Sequence, residues 1–154
     1  MIHIEHSISI NKPRGEVFDF LTDVENLPRW QANLVKSVPL SDGSVRTGFQ
    51  FEETINVMMR RIRAVCTVTE VKASERFSFE MRSNGPLDCD ARFELQPIAN
   101  GTRLTLVGTA RLKGIWRLLK PMVAAELRKE TLVELMAMKG LLEEPRPVLS
   151  RQVI

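Results

Sequence analysis

The chain has 154 residues, of which 44% are hydrophobic and 27% charged, and its formal net charge is +3. This composition is typical of one globular domain, and the charge is too small to indicate nucleic-acid binding by itself. Two cysteines do not make a disulfide framework, and no apolar run approaches the ~18 residues that a membrane span needs. We therefore expect a soluble, cytoplasmic protein.

The first thirty residues predict a strand followed by two short helices. Residues 2–10 alternate, with four isoleucines on one face, which is typical of a half-buried strand. Residues 11–23 change to helical spacing, with Asn11 as the expected cap and Pro13 in the first turn. The segment ENLPRW (25–30) predicts a second short turn of helix.

The middle of the chain, from Asn33 to about residue 110, predicts a series of strands. Short turns such as SDGS (41–44) and SNGP (83–86) separate about six stretches in which apolar and polar residues alternate. Successive strands joined by short turns predict an antiparallel meander that is apolar on one face and solvated on the other.

Residues 115–143 predict one long amphipathic helix that covers the apolar face of the sheet. We expect Met122 at the centre of its inner face. Pro121 interrupts the run, so a bend or break is expected near Lys120. Gly114 should turn the chain sharply before the helix, at a place where a Cβ would be crowded.

The predicted order is strand, two short helices, six strands and a long helix. This order, together with SISINKPRGEVFDFLTDVENLPRW (7–30), resembles the START-like, or SRPBCC, superfamily, and in particular its polyketide cyclase/dehydrase and lipid-transport branch. The resemblance covers a single domain, 1–143, and implies an α+β helix-grip fold. In that fold a curved antiparallel sheet of about seven strands wraps around a long C-terminal helix. The segment 144–154 has two prolines and no periodicity, so we expect a loosely held tail.

An internal cavity of about 300–1,000 Å³ is predicted between sheet and helix, with its entrance near Trp30. Phenylalanines and methionines are frequent on the inward faces, where they give broad or adaptable apolar walls. For Trp30, a purely structural place in the core is the alternative. The predicted ligand-binding residues are Trp30, Phe51, Glu53, Phe79, Met81, Phe93, Met122 and Glu126.

Signatures of catalysis are few in this sequence. It has no Gly-rich phosphate loop, no Gly-x-Ser-x-Gly elbow and no His/Cys cluster with metal spacing, so we expect neither a metal nor a cofactor. The candidate acid–base groups are His6, Glu53 and Glu126. A lone histidine on an apolar face, such as His6, is more often a hydrogen-bonded core group. Glu126 and Lys129 would pair inside the cavity, or Lys129 with Glu53, unless the bend moves both charges to the rim.

Two further features have structural interpretations. Cys66 and Cys89 fall two strands apart, beyond disulfide reach, which predicts core thiols. RRIR (60–63) predicts a basic strand edge that opposes aggregation, with contact to anionic lipid headgroups as the alternative. RNA binding is not expected because no aromatic residues interleave with the arginines.

Three functions fit these observations. The resemblance favours a protein that binds or transports a hydrophobic small molecule, such as a lipid, a polyketide or an isoprenoid-like compound. The second is a cyclase/dehydrase-type enzyme, in which a carboxylate or His6 assists proton transfer. The third is a protein-interaction module whose interior is merely core. The expected partner is a hydrophobic ligand, with no nucleic acid and at most peripheral contact with an anionic membrane. Whether the protein forms a homodimer stays open.

Overall fold

The computed structural model describes residues 1–57 and 59–144, and within them seven strands form one curved antiparallel sheet. The strands are β1 Ile2–Ile10, β2 Leu34–Pro39, β3 Gln50–Val57, β4 Arg60–Lys72, β5 Arg76–Ser83, β6 Leu87–Ile98 and β7 Gly101–Leu112. The helices are α1 Arg14–Thr22 and α2 Lys120–Glu143, with 3-10 helices at Val24–Arg29 and Gly114–Leu119. The predicted α+β helix-grip fold is confirmed. Apart from Glu144, the predicted tail 144–154 lies outside the described residues.

The order across the sheet is β1-β7-β6-β5-β4-β3-β2, so β2 to β7 form the predicted meander. The first strand closes the series by pairing with the last, with Ile2 opposite Ala110 and Ile10 opposite Thr102. Because opposite residues of an antiparallel pair point to the same face, the alternating apolar residues of all seven strands collect on one side. None of the described helices combines the length and apolar character that crossing a membrane requires.

Two local predictions are wrong. Asn11 does not cap α1, which begins at Arg14, where the carbonyl of Pro13 accepts the first hydrogen bonds. The main-chain N–H of Asn11 instead donates to the Glu143 carboxylate, at 2.7 Å. The basic segment 60–63 is not a sheet edge, because β4 lies between β3 and β5 and the edge strands are β1 and β2.

The long helix begins where its proline predicted. Lys120 and Pro121 form the first turn of α2, where a proline loses no hydrogen bond, and the preceding residues form the separate 3-10 helix. Gly114 at the start of that 3-10 helix has φ +60°, but an added Cβ would meet no atom within 4 Å. The turn therefore requires glycine for its backbone conformation, and the predicted crowding is wrong.

The predicted inner face of α2 is also wrong. The buried residues are Val123, Ala124, Leu135 and Met138, whereas Met122 is 62% and Met136 49% exposed. At 100° per residue, the centre of the buried face lies about 160° around the helix from Met122. The helix carries apolar residues on two faces, and the prediction chose the face centred on Met122, which is the exposed one.

Side chains of α2 anchor it to β1 at the edge of the sheet. The Nε2 of His6 lies 2.9 Å from the main-chain oxygen of Arg128 and 3.0 Å from Oγ1 of Thr131. Since a carbonyl can only accept, this nitrogen carries the proton. Arg128 in turn donates to the carbonyl of His3, and Lys139 donates to that of Ser9. His6 is thus the hydrogen-bonded structural group that its apolar neighbours indicated.

Candidate functional site: an acidic cavity under the C-terminal helix

A cavity of about 500 Å³ lies between the sheet and α2. The strand β2 with its preceding loop, the β3–β4 hairpin, β5, β6 and the first half of α2 all contribute to its wall. The residues of the wall are Gln31, Asn33, Leu34, Ile55, Asn56, Val57, Met59, Met81, Leu87, Cys89, Met122, Val123, Glu126, Leu127, Glu130, Thr131 and Glu134.

The sheet side of the cavity is mostly apolar and follows from strand alternation. Met81 and Cys89 are directly opposite each other on β5 and β6, and both point towards α2. Ile55 reaches the cavity from the inner face of β3, and the fully exposed Met59 lies at its outer rim in the β3–β4 hairpin. Apolar walls of this kind favour an apolar ligand body.

The helix side of the cavity is acidic. Glu126, Glu130 and Glu134 follow each other at i,i+4 spacing, which places them in one row along α2, and all three lie in the wall. The Glu130 carboxyl is within hydrogen-bonding reach of Asn33 and of Glu126. Like charges at i,i+4 destabilise a helix by a few tenths of a kcal/mol per pair, so this row does not serve helix stability.

A fourth carboxyl, that of Glu53, lies beside this row. Glu53 is 4% exposed on β3, two residues from Ile55 on the same face, and it acts electrostatically on Glu134. The thiol of Cys66 donates a hydrogen bond to its carboxyl. Glu53 is not itself in the cavity wall, so it places a further buried carboxyl behind the acidic row, on the sheet side.

Burial changes the protonation of these carboxyls. Burial, followed by the charges of Glu130 and Glu53, raises the pKa of Glu134 from its ordinary 4.5 to about 8. Burial likewise raises the pKa of Glu53 to about 7, against the opposing hydrogen bond from Cys66. The pKa of Glu130 is also raised, mainly by burial. Near neutral pH Glu134 and Glu53 can therefore either donate or accept a proton.

The two cysteines are free thiols, as predicted, but their positions differ. Cys66 is buried in the core, and Cys89 is half-buried in the cavity wall. Burial raises the pKa of the Cys89 thiol to about 12, with the charges of Asp88 and Asp90 adding to the effect. A thiol that stays protonated at neutral pH is a poor nucleophile, so neither acid–base nor covalent chemistry is assigned to it.

Most of the predicted aromatic ligand contacts lie elsewhere. Trp30 packs edge-on against Phe93 at 6.5 Å between ring centroids, and Phe79 lies 5.9 Å from Phe51 and 5.7 Å from Phe77. Phe77 and Phe93 are opposite each other on β5 and β6, so the five rings form one aromatic cluster. None of the five is in the cavity wall. Trp30 is 3% exposed and fills core, but Gln31 and Asn33, just after it, do reach the cavity.

The other predicted site residues are divided. Met81, Met122 and Glu126 lie in the cavity wall, although Met122 does so from an exposed position at the rim. His6 is bonded to α2 and is not part of the wall. Glu126 is exposed at the rim, and Lys129 is exposed outside the wall. The predicted pair of Glu126 and Lys129 is therefore not formed inside the cavity.

Glu130 and Glu134 were not predicted. Their signal in the sequence is the repetition of glutamate at i,i+4 in an otherwise amphipathic helix, where like charges repel one another. Burial of charge is costly without a partner, so such a row at a sheet–helix junction indicates a polar site.

A second depression, of about 650 Å³, lies on the outer face of the sheet and is more open. Its polar side chains take part in surface ion pairs, including Arg82 with both Glu80 and Asp90, and Arg92 with Glu94. An open surface lined by charges that already pair offers little for a ligand to bury. We therefore place the candidate site in the cavity under α2.

Comparisons with known proteins agree with this architecture. The family model described as polyketide cyclase / dehydrase and lipid transport matches residues 1–138. A START superfamily protein from Mycobacterium smegmatis superposes with a TM-score of 0.75 at 18% identity, over 93% of this chain and 98% of the other. A comparison with curated protein sequences gives no match.

Two other solved structures are equally similar in fold. The Zhui aromatase/cyclase from Streptomyces sp. R1128 has a TM-score of 0.78 at 15% identity, over 92% of this chain and 93% of the other. A conserved protein from Geobacillus kaustophilus also has a TM-score of 0.78 at 15% identity, with 92% and 95% covered. With a family model that matches residues 1–138, this chain belongs to the polyketide cyclase/dehydrase and lipid-transport family.

Proposed function

We propose that the protein binds a hydrophobic small molecule in the cavity between the sheet and α2. The observation that supports this is a hollow of about 500 Å³ beside a closely packed aromatic cluster. Protein interiors normally fill such space, because each missing contact costs stability. The size of the cavity suits a ligand of drug-like or lipid-fragment dimensions, and its mixed wall provides both apolar area and orienting polar groups.

The test is binding of N-phenyl-1-naphthylamine, a neutral dye whose fluorescence rises in apolar surroundings. We expect saturable binding by the native protein. Leu127→Trp places an indole in the cavity wall and should weaken binding by about tenfold or more. Leu132→Trp is the matched control, because Leu132 is on the same helix, 42% exposed and outside the wall. No saturable binding, or an equal loss in both variants, would refute the proposal.

A cyclase/dehydrase-type activity is the second candidate. It is favoured by Glu134, a wall residue whose pKa of about 8 leaves a proton available for a ligand carbonyl at neutral pH. A similar fold also occurs in a protein named as an aromatase/cyclase. Turnover of an aromatic polyketide precursor, followed by absorbance, should be lost in Glu134→Gln and kept in Glu5→Gln, an exposed control on β1. Binding without turnover by the native protein would leave only the first candidate.

A further inference from the structure

We propose that the ligand of this cavity is a lipophilic amine, bound as its ammonium cation with the charge beside Glu130 and Glu134. This inference rests on the proposed function, because it names the ligand class for the same cavity. It follows from the carboxyl groups in the cavity wall and from the absence of cationic side chains among the described residues of that wall.

The charged groups in the wall all have one sign. Glu126, Glu130 and Glu134 are wall residues, and among the described residues the wall contains no lysine, arginine or histidine. Among the described residues, Lys129 is the one cation that acts on Glu130, and its effect is smaller than those of Asn33 and Glu126. Buried carboxylates are normally paired with a cation. Here the protein leaves that partner to be supplied from outside.

The shape of the cavity indicates an organic cation. Across the described part of the chain, no three acidic, histidine or cysteine side chains are grouped closely enough to hold a metal ion. A volume of about 500 Å³ also far exceeds what a bare ion would occupy. The apolar sheet side, with Met81 and Leu87, faces the acidic helix side, so a ligand with an apolar body and a cationic end contacts both.

The charges around Glu134 are consistent with this ligand. Glu134 faces Glu130 on its own helix, Glu53 on β3 and the uncharged Cys89 on β6, so its neighbours supply only negative charge or none. These surroundings raise its pKa, and a bound ammonium would lower it again. Binding of an amine at neutral pH should therefore release protons. Because the protein as a whole carries +3, general attraction cannot produce a preference for cations.

The experiment compares two probes of nearly equal shape, 9-(aminomethyl)anthracene and the neutral 9-anthracenemethanol, by fluorescence and calorimetry. At pH 8 we expect the amine to bind about tenfold more tightly than the alcohol. The affinity for the amine should fall as the pH is lowered through 7, because Glu134 is then protonated. Calorimetry in two buffers of different ionisation enthalpy should report release of protons on binding. Glu134→Gln should remove most of the preference for the amine, whereas Glu5→Gln should leave it unchanged.

The outcomes separate this inference from the proposed function. If the alcohol binds as tightly as the amine or more tightly, or if Glu134→Gln and Glu5→Gln behave alike, the amine inference is overturned while the cavity remains a binding site. Tighter binding of the alcohol at low pH would instead indicate a neutral acceptor held by protonated glutamates. If neither probe binds saturably and N-phenyl-1-naphthylamine also fails, the proposed function itself is refuted.

Discussion

The interior of this protein has two neighbouring regions that are built in opposite ways. The aromatic cluster of Trp30, Phe51, Phe77, Phe79 and Phe93 is closely packed and uncharged. The cavity under α2 is hollow and carries carboxyl groups without cationic partners in its wall. Packing of large rings stabilises the fold, whereas a void and unpaired carboxyls reduce stability. The comparison indicates that the aromatic cluster supports the fold, whereas the cavity lowers stability, which agrees with the ligand site proposed above.

The largest expected effect tests the packed side of this comparison. Phe51 is fully buried, so Phe51→Ala removes a ring from the cluster and leaves a void. We expect the free energy of unfolding to fall by about 3–5 kcal/mol, measured by urea denaturation. Met122→Ala, at the exposed rim of the cavity, should change it by less than about 0.5 kcal/mol. Similar losses in both variants would contradict the division between the two regions.

The next effect tests the acidic side through pH. Glu53 binds a proton more tightly in the folded chain, with a pKa of about 7, than in the unfolded chain, with an ordinary value of 4.5. Between these values the folded state holds more protons, so stability should fall as the pH rises from about 5 to 8. The difference between the two pKa values of Glu53 corresponds to roughly 3 kcal/mol in the free energy of unfolding. Glu53→Gln should therefore be more stable than the native protein at pH 8 and flatten the pH dependence.

Glu5→Gln is the control for that measurement, since Glu5 is exposed on β1. Glu134 should also lower the stability as the pH rises, over a pH range that extends to its higher pKa of about 8. Denaturant unfolding at several pH values between 5 and 8.5 would measure the contributions of Glu53 and of Glu134. A native protein that becomes more stable over this range would show that the buried carboxyls find cationic partners in the fold.

The smallest effect concerns the connection between the sheet and the helix that covers the cavity. Gly114 joins β7 to the 3-10 helix before α2 and has φ +60°, so Gly114→Ala should cost about 1 kcal/mol through backbone strain alone. Gly140→Ala is the matched variant, since it also adds a Cβ in open space but within α2, where it should stabilise by up to about 1 kcal/mol. Thermal unfolding measures both. Equal shifts of the same sign would mean that the conformation at Gly114 is not strained.

The sequence predicted the sheet well because strand alternation is a local property. Residues such as Phe77, Phe79 and Met81 alternate regularly, and their direction follows once the face is known. The same pattern could not show that Phe79 would pack in a cluster while Met81 would line a cavity. Both point inward, and only the placement of α2 separates filled space from hollow space.

The helix was harder to predict for a physical reason. It has apolar residues on two faces, such as Leu135 on the buried side and Met136 on the exposed side, so periodicity alone cannot choose between them. The row of glutamates that ends in Glu134 would have indicated the face of α2 that lines the cavity, because like charges at i,i+4 do not stabilise a helix.

The anchoring of α2 to β1 has a consequence for solubility. An edge strand exposes unpaired main-chain groups that can recruit a strand from another molecule. Arg128 and Lys139 cover the carbonyls of His3 and Ser9 along this edge, and Glu143 covers the amide of Asn11. At the opposite edge, β2 is short, is interrupted by a bulge after Leu34 and ends at Pro39. The side chains that hold the helix thus also keep neighbouring molecules from extending the sheet into an aggregate.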